Sequence, residues 1–90
     1  MKKRVVLRAT GKVQKVGYRD FVQDSARELS VVGTVENMRD GSVQIVCEGE
    51  EAAIESFQKA IKVKKDFIDV HELSVLKTEK ATGEFEYFDI

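Results

Sequence analysis

The sequence predicts an α+β domain, and three observations carry that expectation. Four runs rich in β-branched residues, "RVVLRAT", "GTVEN", "SVQIVCE" and "DVHELSVLKTEK", read as strands. Two stretches between them change to a helical period. The resulting order is strand, helix, strand, strand, helix, strand, closed by a further short run, "EFEYFDI". A chain of 90 residues makes one domain, 1–90, with a single modest core.

The elements follow in order. "RVVLRAT" is a strand by its β-branched content, though its polar and apolar residues alternate only loosely. From Asp20 onward Val22, Ala26 and Leu29 fall at i, i+4 and i+7, one face of a helix. "GTVEN" is a short strand and "MRDG" a turn, because the Asp-Gly pair supplies the positive φ of a tight hairpin. "SVQIVCE" places Val43, Ile45 and Cys47 on one face and Gln44, Val46 and Glu48 on the other. Ile54, Phe57, Ala60 and Ile61 mark the buried stripe of the second helix. Glu50, Glu51 and Glu55 lie toward its start and Lys59, Lys62, Lys64 and Lys65 toward its end, a gradient that suits the helix dipole. In the fourth run Val70, Leu73, Val75 and Leu76 are the apolar residues, and in the last run Phe85, Tyr87 and Asp89 are expected to face one way.

Two helices with one apolar stripe each must cover the same sheet face. The expected architecture is therefore a ferredoxin-like split β-α-β: βαββαβ plus a short last strand, an antiparallel sheet with two helices on one face. Fold alone assigns no function.

Composition narrows the function classes. Fifteen Lys and Arg nearly cancel 16 Asp and Glu, so no strong pull toward nucleic acid or an anionic membrane is implied. One cysteine excludes an internal disulfide framework and a Cys-based metal site. Cys47 reads as a small core residue, and the solitary His71 as a strand-surface residue without ligand partners. The basic start "MKKRVVLRAT" has no apolar stretch long enough for a signal peptide, and nothing approaches a membrane span. A cytoplasmic, monomeric protein is expected.

The chemistry concentrates in "GKVQKVGYRD", Gly11 to Asp20, where the first strand hands over to the first helix. A glycine-containing turn at a helix N-terminus presents unpaired N–H groups, which with the dipole form an anion site. Arg19 adds a planar fork of donors that fits a phosphate or carboxylate. The bland alternative is a strand-to-helix turn with a surface arginine. Asp20 is expected to serve the helix dipole and its N–H groups, and Tyr18 and Phe21 to belong to the core. Asn37, before the "MRDG" turn, carries an amide that can both donate and accept and so could hold a water; equally, Asn favours such corners.

Beyond these physical readings, "GKVQKVGYR" resembles the acylphosphatase signature G-x-V-Q-G-V-x-[FY]-R. "GTVENMRDGSVQIVCEG" resembles that family's second signature, G-[WY]-V-x-N followed by a glycine turn and a strand. "DSARELSVVG" between them and the closing "GEFEYFDI" match as well, so the resemblance spans essentially the whole chain. It implies hydrolysis of acyl phosphates. Arg19 would bind the phosphate with the loop cradle Gln14, Lys15, Val16, Gly17 and Tyr18, and Asn37 would orient the attacking water. It further implies no metal and no cofactor, a small-molecule substrate, and inorganic phosphate as product and competitive inhibitor, with no nucleic-acid or membrane partner.

Three positions depart from the pattern: Lys15 and Ser30 stand where the family has glycine, and Thr34 where it has an aromatic residue. If Lys15 has a positive φ, it carries a backbone cost; if not, its ammonium only adds attraction for an anion. The alternatives are a catalytically impaired acyl-phosphate-binding domain and an RNA-binding module. The second rests on "KVGYRDFV", but that string runs into a helix and the domain is not basic.

Overall fold

In the computed structural model, which describes residues 1–90, the first run becomes β1, Lys2–Lys12. Helix α1 spans Tyr18–Glu28, and the hairpin β2 (Val32–Asn37) and β3 (Val43–Glu50) follows. Helix α2 covers Glu51–Ile61. The chain closes with β4 (Lys64–Lys65), β5 (Ile68–Lys80) and β6 (Phe88–Asp89). One sheet holds all six strands in the order β4-β5-β1-β3-β2-β6. β1 and β2 both pair antiparallel with β3, so they run parallel to each other with β3 between them. This is the split β-α-β arrangement, and it brings the C-terminal ends of β1 and β2 to the same edge of the molecule.

Alternation decides which sheet face is covered. Val5, Leu7 and Ala9 of β1, Val35 of β2, and Val43, Ile45 and Cys47 of β3 are buried in one cluster. Val22 and Ala26 of α1 and Ile54, Phe57 and Ile61 of α2 complete it, so both helices lie on this face. Burying a side chain such as Phe57, fully shielded here, is worth roughly 1.5–3 kcal/mol. Tyr18 is also in the core, and its hydroxyl donates to the Ile61 carbonyl at 2.9 Å. That bond satisfies one of the carbonyls left open at the end of α2 and ties it to the start of α1. Phe21 is partly buried against the cluster. Cys47 is a core residue as expected; burial pushes its thiol up to about 12.

Several boundaries differ from the sequence reading. α1 begins at Tyr18 rather than Asp20. Of the lysines assigned to the end of α2 only Lys59 lies in its last turn; Lys64 and Lys65 form β4, which pairs with Ile68 and Asp69 through a turn at Asp66, φ 54°. β5 carries two irregularities against β1: the partner jumps from Lys77 to Val75 and from Glu72 to Val70. Leu76 and His71 are the extra residues, which explains two adjacent apolar residues in an alternating run. Val70 is buried, whereas Val75 and Leu76 are exposed.

The last run forms only a two-residue strand, and it pairs parallel with β2. Its buried residue is Phe88, 5.9 Å from Phe57. Phe85, Tyr87 and Asp89, expected to face one way, line one groove together with Thr34.

Candidate active site

The site is assembled where β1 and β2 end. Val13 is buried and Val16 packs against the core, so the loop after β1 is held by its apolar residues. Lys15 (φ 62°) and Gly17 (φ 82°) are both left-handed. Left-handed residues at alternate positions turn successive N–H groups toward one point, the geometry of an anion nest. Gly17 is also the N-cap of α1, where it makes no side-chain cap bond. None of the N–H groups from Gln14 to Asp20 finds an acceptor within the chain; the first to do so is Phe21, bonding the Gly17 carbonyl at 3.1 Å. Asp20 lies in the first turn of α1, as the dipole favours, yet it makes no hydrogen bond to these N–H groups.

Arg19, the second residue of α1, is exposed and makes no ion pair. It lines a cavity of about 150 Å³ with Val13, Lys15, Gly17, Tyr18, Asp20 and Ile90. At about 30 Å³ per water, that space holds several waters or a phosphoryl group. Two cationic residues, Lys15 and Arg19, thus line the cavity beside the N–H row. Ile90 was not foreseen from the sequence. It arrives because β6 pairs with β2 through Gly33–Phe88 and Thr34–Asp89, which directs the chain end toward the start of α1.

Asn37 is the last residue of β2, opposite Val43. It lines a second, wider hollow of about 530 Å³ with Arg8, Met38, Arg39 and Asp40 among its walls. The two hollows share no lining residue. Gln14 joins them: its side-chain Nε2 donates to the carbonyls of Met38 and Ser42, both at 2.8 Å. The side chain of Gln14 is therefore committed to the β2–β3 turn, leaving only its N–H for the cradle. The turn is also held from within, since Asp40 Oδ1 accepts from Ser42 N at 2.9 Å and Ser42 Oγ at 2.5 Å. Arg8 Nη2 donates to Asp40 Oδ2 at 2.7 Å. The Ser42 bonds and the Arg8 guanidinium hold the Asp40 carboxyl below its ordinary range.

Thr34 lies in mid-β2, opposite Val46 and beside Asp89, where it lines a groove with Phe85 and Tyr87 instead of either hollow. No group of three or more His, Cys, Asp or Glu side chains comes together to hold a metal ion. No helix is long and apolar enough to cross a membrane.

The fold is a ferredoxin-like α+β domain with a row of unpaired N–H groups in the loop at a helix N-terminus. The sequence model of the Acylphosphatase family matches residues 5–90, and the chain belongs to that family of enzymes. The Acylphosphatase of Lactobacillus johnsonii is 44% identical over 84 residues, covering 89% of this chain and 92% of that one. The Acylphosphatase of Bacillus subtilis is 39% identical over 77 residues, 86% of this chain and 85% of that one. A crystal structure of acylphosphatase from Bacillus subtilis superposes with a TM-score of 0.90 at 36% identity, covering 100% of this chain and 98% of that one.

Proposed function

We propose that this enzyme hydrolyses the carboxyl–phosphate bond of acyl phosphates, with Arg19 and the N–H groups of Gln14 to Tyr18 binding the phosphoryl group and Asn37 orienting water. The observation that carries this reading is the uninterrupted row of unpaired N–H groups from Gln14 to Asp20, beside the Arg19 cavity. Unpaired donors gathered at a helix N-terminus, where the dipole adds positive potential, favour a phosphoryl anion.

The chemistry needs little more. The leaving group is a carboxylate whose conjugate acid has a pKa of about 4, so it departs as an anion without a general acid. The water oxygen attacks phosphorus in line, the bond to the acyl oxygen breaks, and the protons of the water end on inorganic phosphate. Charge on the equatorial oxygens of a loose transition state is met by the nest, Arg19 and Lys15. All these residues come from one chain, so the reading requires no second copy.

The experiment is hydrolysis of benzoyl phosphate in EDTA by wild type, Arg19→Ala and Asn37→Ala. The expected result is turnover in wild type and its loss, with loss of inhibition by inorganic phosphate, in Arg19→Ala. Asn37→Ala should lower kcat by about 10²-fold while phosphate inhibition stays within about twofold. Equal loss of phosphate affinity in both variants would contradict the division of roles.

A further inference from the structure

The two halves of the proposed site lie on different elements, and the Gln14 side chain joins them. Gln14 enters the mouth of the β2–β3 turn with both protons of its amide nitrogen in use, one on each of the Met38 and Ser42 carbonyls. Those carbonyls already close the turn: Met38 N donates to Ser42 O at 2.8 Å and Gly41 N to Met38 O at 3.2 Å. Met38 directly follows Asn37. The rigid link therefore runs from the anion loop, through one amide, to the residue after Asn37. In-line attack demands a fixed distance between the bound phosphorus and the water, and an error of about 1 Å costs about 10²-fold. Arg8 and Asp40 steady the far side of the turn, but they belong to β1 and the turn itself and do not touch the anion loop.

We infer that Gln14 is a positioning residue: it sets the spacing between the phosphate cradle and Asn37, and it acts on turnover through Asn37 without binding substrate by its side chain. This inference rests on the proposed roles of Arg19 and Asn37. Methionine matches the length of glutamine and lacks its donors, so Gln14→Met removes the link with little change in volume.

The test compares wild type, Gln14→Met, Asn37→Ala and the double variant, reading kcat for benzoyl phosphate and the inhibition constant of inorganic phosphate for each. The expected result is a kcat lowered at least tenfold in Gln14→Met with phosphate inhibition within twofold of wild type. In the Asn37→Ala background the same substitution should cost less than threefold, because the residue it positions is gone. Inhibition weakened in step with kcat would make the Gln14 side chain part of the cradle and overturn the proposal. A lowered Tm with unchanged kcat per folded molecule would overturn it too, leaving Gln14 a structural residue only. Should Gln14→Met not fold, Gln14→Asn, one methylene short of both carbonyls, is read by the same criteria. A wild type that does not hydrolyse benzoyl phosphate would instead overturn the reading of the site itself.

Discussion

Lys15 holds a left-handed backbone, φ 62°, at a position where glycine would be unstrained. For an L-residue that conformation costs roughly 1–2 kcal/mol. The loop keeps the geometry of an anion nest regardless, so the lysine strains the loop without dismantling it. Its ammonium has no carboxylate partner, and the residue lines the same cavity as Arg19. Two substitutions separate backbone from charge. Lys15→Met keeps the strain and removes the charge; phosphate inhibition should weaken by about two- to fivefold, the worth of one exposed charge, with unchanged urea midpoint. Lys15→Gly should show the same weakening together with a higher urea midpoint. Unaltered inhibition in both would mean the ammonium points away from the bound anion. The sequence identified Lys15 as the position of interest, but a backbone angle is not written in residue identity, and both conformations remained open until the loop was seen.

At the scale of elements, α1 ends in a pattern that puts Ser30 where glycine is favoured. Ser30 is left-handed at φ 58°, Val31 N donates to Ala26 O at 2.8 Å, and Ser30 N lies 3.4 Å from Arg27 O. This is a Schellman ending, which favours glycine at its left-handed residue. Ser30→Gly should therefore raise stability by about 1 kcal/mol, read as a shift in urea midpoint, with kcat unchanged. A lower midpoint would mean that the serine gains more from its restricted unfolded state than it loses in the fold. Elements set by local period, α1, α2 and the faces of β3, were legible in the sequence. β4, the two β5 irregularities and β6 were not, because each is fixed by a distant partner. β6 is the clearest case: two residues long, it is held by the Gly33 N–H on Tyr87 O at 3.2 Å and by Gln23 Nε2 on Phe88 O at 3.0 Å. Arg19 and Asn37 stood out in the sequence because a loop at a helix start and a hairpin corner are local features. Ile90 and the bridging side chain of Gln14 depend on how remote segments meet.

At the scale of the whole molecule, the segment from Ala81 to Tyr87 joins β5 to β6, from one side of the sheet to the other, and Glu48 of β3 fastens it. This carboxylate is only 3% exposed. It accepts from Thr82 N at 3.0 Å, Thr82 Oγ1 at 2.8 Å, Gly83 N at 3.0 Å and Arg4 Nη1 at 2.9 Å. Arg4 also pairs with Glu84 and stacks 5.3 Å from the Phe85 ring. Burial by itself would raise the Glu48 pKa, but the Thr82, Gly83 and Arg4 donors outweigh it and hold the group at about 2, against an ordinary 4.5. A carboxyl depressed in the folded state contributes stability that is complete above its unfolded pKa and is lost as pH falls through the folded one. The window is therefore between about pH 4.5 and pH 2. Glu48→Gln should lower stability at pH 7 by about 2–3 kcal/mol, since hydrogen bonds to a charged acceptor are lost. The wild-type and variant stability curves should then converge through that window, as protonation removes from the wild type what the variant lacks already. Limited proteolysis at pH 7 should also cut the variant first between Ala81 and Glu86, because that stretch has no backbone bond to a strand. Curves that stay parallel down to pH 2 would show that Glu48 is not the group that fastens the segment.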